Sequence, residues 1–241
     1  MAAKLSQEGK RVVTLSRTQL NTFSECPRCF WLVNHFGIRQ TKSLPFALNN
    51  AIDGLLKTEF DVHRTAGTLP AILSPLKGKA KLFADAEKLQ TWRNNFRGVR
   101  WTDPASGHTL FGAVDDVLEF KDGSLAVVDY KATGSAAPVI YASYQLQMDV
   151  YTFLLQQLGF STAPKSYFAF YLVVKDDGFN GKLPFREQLV EVTPAPERVP
   201  ALFAQATALA LAESQPAKGA ECDLCRWYGE AAKASALVSY D

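Results

Sequence analysis

From Ser16 onward, apolar residues recur first every three to four positions and later every second position, the repeats of amphipathic helix and half-buried strand. SRTQ at 16–19 reads as a helix start, because a capping side chain is followed three residues later by Gln19. Leu20, Phe23, Phe30 and Trp31 supply the apolar side of this segment. Pro27, which lacks a backbone donor, starts a fresh turn or a kink within it. A second helix is predicted after Pro45, running to about Phe60, with Leu48, Ile52, Leu55, Leu56 and Phe60 near one face. Residues 69–78 read as a loop. Residues 79–97 read as a third helix, with Leu82, Phe83, Leu89, Trp92 and Phe96 as core candidates.

The period then changes. Leu110, Gly112, Val114 and residues 117–120 predict a strand, Asp122-Gly123 a turn, and residues 125–130 the returning strand. Helical spacing resumes over 140–158, and buried strands are expected over 166–174 and 186–192. The Pro-rich stretch 194–200 leads into an Ala/Leu-rich helix over 201–212, and a small loop follows at 215–220. The order is that of an α/β protein with helices ahead of a sheet whose hairpin lies in mid-chain.

The hairpin concentrates charge. Asp129 and Lys131 are two apart on an apolar strand and therefore share a face. With the turn at Asp122-Gly123, Asp115 falls close to opposite Tyr130. A loop one residue different in length places it opposite Asp129, and in another register Asp116 takes its place. In either of the first two registers, two carboxylates and an ammonium meet at a sheet end. Oxygen ligands of this kind suit Mg²⁺ or Mn²⁺, with water completing the shell. Such a cation activates water and neutralises phosphate oxygens, while Lys131 can orient that water or stabilise developing charge.

Composition narrows the class. The chain has 241 residues, 47% hydrophobic and 21% charged, the balance of a soluble globular protein, and a formal net charge of +2 names no partner. No run of 18 or more apolar residues reads as a membrane span, and the start, MAAKLSQEGKRVV, has no apolar core of a secretion signal. A cytoplasmic or otherwise intracellular protein, without membrane attachment, is the expectation. Its four cysteines form two short pairs, Cys26/Cys29 and Cys222/Cys225, a spacing that points to metal or redox chemistry rather than a disulfide scaffold. Four thiolates brought together can hold a Zn²⁺ ion or a 4Fe–4S cluster and staple the chain ends.

Taken jointly, these motifs resemble the PD-(D/E)XK nuclease superfamily, particularly its RecB-like branch. FGAVDDVLEF followed by DGSLAVVDYKATG carries the central pattern, with Val114 at the loosely kept proline position. The resemblance implies a restriction-endonuclease-like mixed sheet flanked by helices. It makes Asp115 and Asp129 metal ligands, and Lys131 a catalytic partner in phosphodiester hydrolysis. In YQLQMDVY at 144–151, Gln147 and Tyr151 match the Q-x-x-x-Y motif of the following helix and share its face. Many members place a further ligand on an early helix. Here NAIDGLLKTEFDVHR offers Asp53 first, then Glu59 and His63, without a clean match. The opening SRTQLNTFSECPRCFWL matches a helix followed by a Cys-Pro-Arg and aromatic pattern, where Arg28 binds phosphate or pairs with a carboxylate. Some members carry a 4Fe–4S cluster on one N-terminal and three C-terminal cysteines, so the resemblance favours a cluster although two plus two departs from it. It covers about residues 16–228 as one domain, leaving 1–15 and 229–241 as tails.

The resemblance further implies DNA as substrate, including single strands or ends, in repair, recombination or defence, with a helicase or other DNA-processing subunit as a possible partner. Lys77, Lys79, Lys81, Lys88, Arg93, Arg97 and Arg100 form a basic stretch interleaved with Trp92 and Phe96. Of these, Lys77, Lys79, Lys81, Arg93 and Arg97 are the candidates for phosphate contact. The two aromatics either stack on bases or face the core. A nucleic-acid-binding subunit without cleavage, or an interaction scaffold, are the competing functions.

Overall fold

The computed structural model describes residues 4–5, 11–38, 47–176 and 178–235. In chain order they form β1 (Lys4–Leu5), β2 (Arg11–Val12), β3 (Thr14–Ser16), α1 (Arg17–Glu25), α2 (Pro27–Phe36) and α3 (Ala47–Ala66). β4 (Ala80–Leu82), α4 (Ala86–Arg93), β5 (Val99–Thr102), β6 (Thr109–Gly112), β7 (Asp116–Phe120) and β8 (Leu125–Thr133) follow. The remainder is α5 (Ala142–Gln157), β9 (Ser166–Val173), β10 (Phe185–Val192), α6 (Val199–Leu211) and α7 (Asp223–Ser235). No helix among the described residues is long and apolar enough to cross a membrane.

The chain divides into two compact units, one drawn from residues 1–43, 102–110 and 200–241, the other from 44–101 and 111–199. In the first, the predicted capping box forms: Gln19 N donates to Ser16 Oγ at 3.2 Å, and Ser16 N donates to Gln19 Oε1 at 3.0 Å. Pro27 stands at the first turn of α2, where its missing donor costs nothing, and Gly37 at φ 69° ends that helix. Leu15, Leu20, Phe30 and Trp31 are buried, and the Trp31 indole donates to the Ala212 carbonyl at 2.8 Å.

The second unit is built on a five-stranded sheet of order β10-β9-β8-β7-β4. β8 and β9 run parallel, and the other neighbours antiparallel. A parallel pair requires a crossover, which α5 supplies. Alternation along β8 divides its side chains between two helices. Ala126, Val128 and Tyr130 join Leu56 and Phe60 of α3 in one core. Asp129 and Lys131 face the other way, toward α5. From Leu146 to Leu155 every residue of α5 is buried, which explains why its pattern shows little amphipathicity. A mixed α/β fold with helices flanking a central mixed sheet results.

Residues 79–97 correct the expectation of one helix. Lys81 and Leu82 pair with Glu119 and Leu118 on the edge of β7, and the helix starts only where the Asp85 carboxylate caps Lys88 N at 2.9 Å. Leu82, Phe83, Leu89 and Trp92 are buried as expected, but Phe96 is 86% exposed. Leu48 and Leu55, assigned to the inner face of α3, are likewise exposed.

Asp116 ties this unit together. Its carboxylate is fully buried and accepts from Arg64 Nη2 at 2.8 and 2.7 Å, Arg93 Nη2 at 2.9 Å, Tyr130 Oη at 2.7 Å and Val117 N at 2.7 Å. Arg93 also grips Asp61 at 2.8 and 2.9 Å and donates to the Asp115 carbonyl at 2.7 Å. Removing one partner of a buried ion pair strands the rest, so Asp116→Ala should cost about 3–5 kcal/mol, read from urea unfolding. A loss under about 1 kcal/mol would show that the arginines find other partners.

Candidate active site and cysteine centre

The hairpin loop fixes which acid faces which. The β7–β8 ladder pairs Asp116 with Val128 and Glu119 with Leu125, and Phe120 N donates to Ser124 O at 2.9 Å. The loop is therefore residues 121–123, with Gly123 at φ +81°, where a side chain would be strained. Of the registers compatible with the sequence, this one brings Asp115, one step before β7, level with Asp129. The Asp115 carboxylate also accepts from Tyr130 N at 3.2 Å. Asp116 is on the opposite face within its arginine cage, which removes it as a substitute ligand.

Asp129 is 1% exposed. Its carboxylate pairs with the Lys131 ammonium and accepts from Gln147 Nε2 at 2.5 Å. Lys131 Nζ in turn reaches Gln147 Oε1 at 3.4 Å, and Gln147 Nε2 reaches Tyr151 Oη at 3.3 Å. Lys131 also lies 4.6 Å from the Tyr144 ring and 5.6 Å from that of Phe168. Burial, reinforced by the charge of Asp115 and opposed by Lys131, pushes the Asp129 carboxyl up to about 7. A carboxyl held this way gains from any cation brought beside it.

The early helix contributes more than the sequence suggested. Lys57 Nζ lies 2.7 Å from Asp53 Oδ2 and 3.3 Å from Asp115 Oδ1, and so bridges an acid of α3 to one of the hairpin. Burial alone would lower the Lys57 pKa, but the charges of Asp115 and Asp53 raise it above the usual lysine value. Only its i,i+4 spacing from Asp53 hinted at this role. His63 Nδ1 bonds Thr68 Oγ1 at 2.8 Å, and Glu59 sits near Glu187, raising that carboxyl behind the effect of burial.

The basic residues separate. Lys77, Lys79, Lys81 and Arg97 are exposed. Lys81 pairs with Glu119 at 3.3 Å, four residues along β7 from Asp115, or roughly 13 Å at about 3.3 Å per residue. The Arg93 side chain, one of the expected phosphate contacts, is 6% exposed and is held by Asp61 and Asp116. Arg28, in the other unit, donates through Nε to the Pro216 carbonyl at 3.1 Å.

A family model described as the PD-(D/E)XK nuclease superfamily matches residues 47–229. The chain belongs to the PD-(D/E)XK nuclease superfamily. No curated protein matches its sequence. Among solved structures it is similar to one titled "Crystal structure of SSO0001", at 16% identity and a TM-score of 0.39, over 86% of this chain and 81% of that one.

This superfamily member also gathers its four cysteines. Cys26 caps α2, Cys29 lies in its first turn, and Cys222 and Cys225 flank the start of α7. The four sulfurs lie within 4.8 Å of one another. Cys26–Cys225, Cys29–Cys222 and Cys29–Cys225 are at 3.7, 3.6 and 3.6 Å. No other group of three or more His, Cys, Asp or Glu among the described residues has ligand atoms this close. Gly219 approaches closely enough to donate its N–H to Cys26 Sγ at 3.2 Å, and a Cβ there would strike the Glu25 carbonyl. Burial would raise the Cys26 pKa, but the N–H groups of Gly219 and Cys29 and the neighbouring thiols bring it down to about 7. The arrangement can coordinate a metal ion. Reduced protein should take up one Co²⁺ with intense thiolate-to-metal absorption, and Cys29→Ser should abolish that band. Uptake that survives the substitution would place the ion elsewhere.

Proposed function

We propose that this protein hydrolyses DNA phosphodiester bonds with a divalent cation, Mg²⁺ or Mn²⁺, in the manner of the RecB-like branch. One observation carries the reading: Asp115, Asp129, Lys131 and the Gln147–Tyr151 pair, taken from a hairpin and the following helix, meet at one sheet end. The donor set fits a hard cation, since it is two carboxylates whose oxygens face one another in a largely buried site. Asp115 and Asp129 would hold the ion, and Asp53, one lysine away from Asp115, would complete the acidic set. Such an ion supplies Lewis acidity toward a phosphate oxygen and lowers the pKa of bound water.

The chain's own groups do the rest. Gln147 fixes the Asp129 carboxylate and, through its carbonyl oxygen, orients the Lys131 ammonium. Lys131, beside the carboxylate, can point a water at phosphorus and meet charge that grows on the phosphoryl oxygens. Tyr151 holds the amide of Gln147 in turn. Tyr141, 54% exposed, rests on Tyr144 at 5.2 Å, and Tyr144 lies against Lys131. An exposed aromatic one ring removed from Lys131 suits an unpaired base better than a closed duplex, which supports single-stranded or end-containing DNA as substrate.

We read the cysteine centre as one tetrahedral ion, best Zn²⁺, rather than a 4Fe–4S cluster. A tetrahedron with metal–sulfur bonds of about 2.3 Å has edges of about 3.8 Å, close to the sulfur spacing here, whereas a cubane needs its sulfurs farther apart. Anaerobic purification followed by zinc, iron and sulfide analysis should give stoichiometric zinc. Equimolar labile sulfide with iron would reverse the assignment.

Asp129→Asn and Lys131→Ala should stay folded by circular dichroism, retain part of their DNA binding, and lose at least about 100-fold in Mg²⁺- or Mn²⁺-dependent cleavage. Asp115→Asn should match Asp129→Asn. Full activity of the folded variants on single-stranded, duplex and overhanging DNA, with chelator controls, would overturn the catalytic assignment. Binding without cleavage by the wild-type protein would select a non-catalytic subunit instead.

A further inference from the structure

We infer that Lys57 is a built-in counter-cation of the Asp53–Asp115 pair, holding the two carboxylates together in the metal-free protein and giving way when a divalent cation binds. The inference rests on the reading above that these acids serve as ligands. Its warrant is the bridge itself. One ammonium reaches Asp53 at 2.7 Å and Asp115 at 3.3 Å, linking α3 to the hairpin. The other ammonium of the site, Lys131, is already committed to Asp129 and Gln147. The two lysines are thus divided, one to each hairpin acid, and neither is a spare surface charge: the Lys57 and Lys131 side chains are 27% and 19% exposed.

The consequence is a penalty on metal entry. A divalent cation held by Asp53 and Asp115 would compete with Lys57 for the same two carboxylates and would have to approach its positive charge to reach them. The formal charges sharpen the point. With Asp129 ionised, Asp53, Asp115 and Asp129 carry three negative charges against two positive ones on Lys57 and Lys131. One divalent cation overshoots neutrality by a single positive charge, which a phosphodiester restores. Lys57 therefore weakens cation binding in the absence of DNA and leaves a positive group at the site when DNA is present. It is a positioning residue that acts through the two acids.

Mn²⁺ binding, followed by the paramagnetic signal of the free ion, tests this on chelator-treated full-length protein without DNA. Lys57→Met should bind Mn²⁺ about tenfold more tightly than wild type, because the competing charge is gone, and Lys57→Arg should stay near wild type. The metal-free thermal midpoint of Lys57→Met should fall and recover on adding Mn²⁺, a response that a merely packing role would not produce. Asp129→Asn identifies which uptake belongs to this site. Equal affinity in wild type and Lys57→Met, lost in both backgrounds by Asp129→Asn, would overturn the role of Lys57 and leave the metal site standing. An unchanged metal-free midpoint in Lys57→Met would likewise overturn it. Absence of Asp129-dependent uptake in both proteins would overturn the metal reading along with it.

Discussion

Asp116 has no route to water, and the geometry of the hairpin end depends on how its charge is met. Two guanidiniums, a phenol and a main-chain N–H surround it. Arg64 comes from α3, Arg93 from the end of α4 and Tyr130 from β8, so one carboxylate fastens three elements to the start of β7. Buried charge of this kind adds little net stability over a well-packed apolar alternative, but it tolerates few other arrangements. What it secures is position. Arg93 uses its remaining reach to hold the Asp115 carbonyl, and the neighbouring acid is left to face the sheet end.

Two adjacent aspartates therefore have opposite fates, and strand geometry is the reason. Asp116 is the first residue of β7 and points with Leu118 toward α3, while Asp115 lies just before the strand and is free to turn toward Asp129. The same alternation on β8 sends Tyr130 back to the Asp116 cage and puts Asp129 and Lys131 against α5. The residue between Asp129 and Lys131 is thus the one that anchors them. Its phenol pKa, raised first by burial and then by Asp116, keeps it a hydrogen-bond donor at any ordinary pH.

Much of this was readable from local signals. Ser16, Pro27 and the spacing of Leu56 and Phe60 mark helices by rules that act within a few residues, and the alternation around Asp129 and Lys131 marks a strand in the same way. The register was not readable, because Asp122-Gly123 suits a loop of either length, and the choice falls to a pairing that also engages Asp116. The split of residues 79–97 escaped for a related reason. Leu82, Leu89 and Trp92 fit a helical stripe, yet Leu82 is claimed by the edge of β7. Arg93 looked like a surface charge because its partners, Asp61 and Asp116, lie 32 and 23 residues away. Lys57 was the nearest miss, since its link to Asp53 is local and only its link to Asp115 is not.

The chain carries two donor sets of contrasting hardness, and on the function proposed above this contrast would let each be loaded without the other. Carboxylates at the hairpin end favour small, hard cations that keep water and exchange readily, whereas four thiolates favour soft or borderline ions and hold them tightly. Mg²⁺ at cellular abundance has no useful affinity for sulfur. Zn²⁺ could enter either set, and it is the four-sulfur site, preformed around Gly219 and the start of α2, that offers it the better geometry. On that same reading, Lys57, placed across the carboxylates, would raise the threshold there for every divalent ion. On the function proposed above, such an ion would be captured more easily once a phosphodiester brings its own negative charge, so the carboxylate site would be biased toward filling together with substrate, while the thiolate site would carry no such dependence.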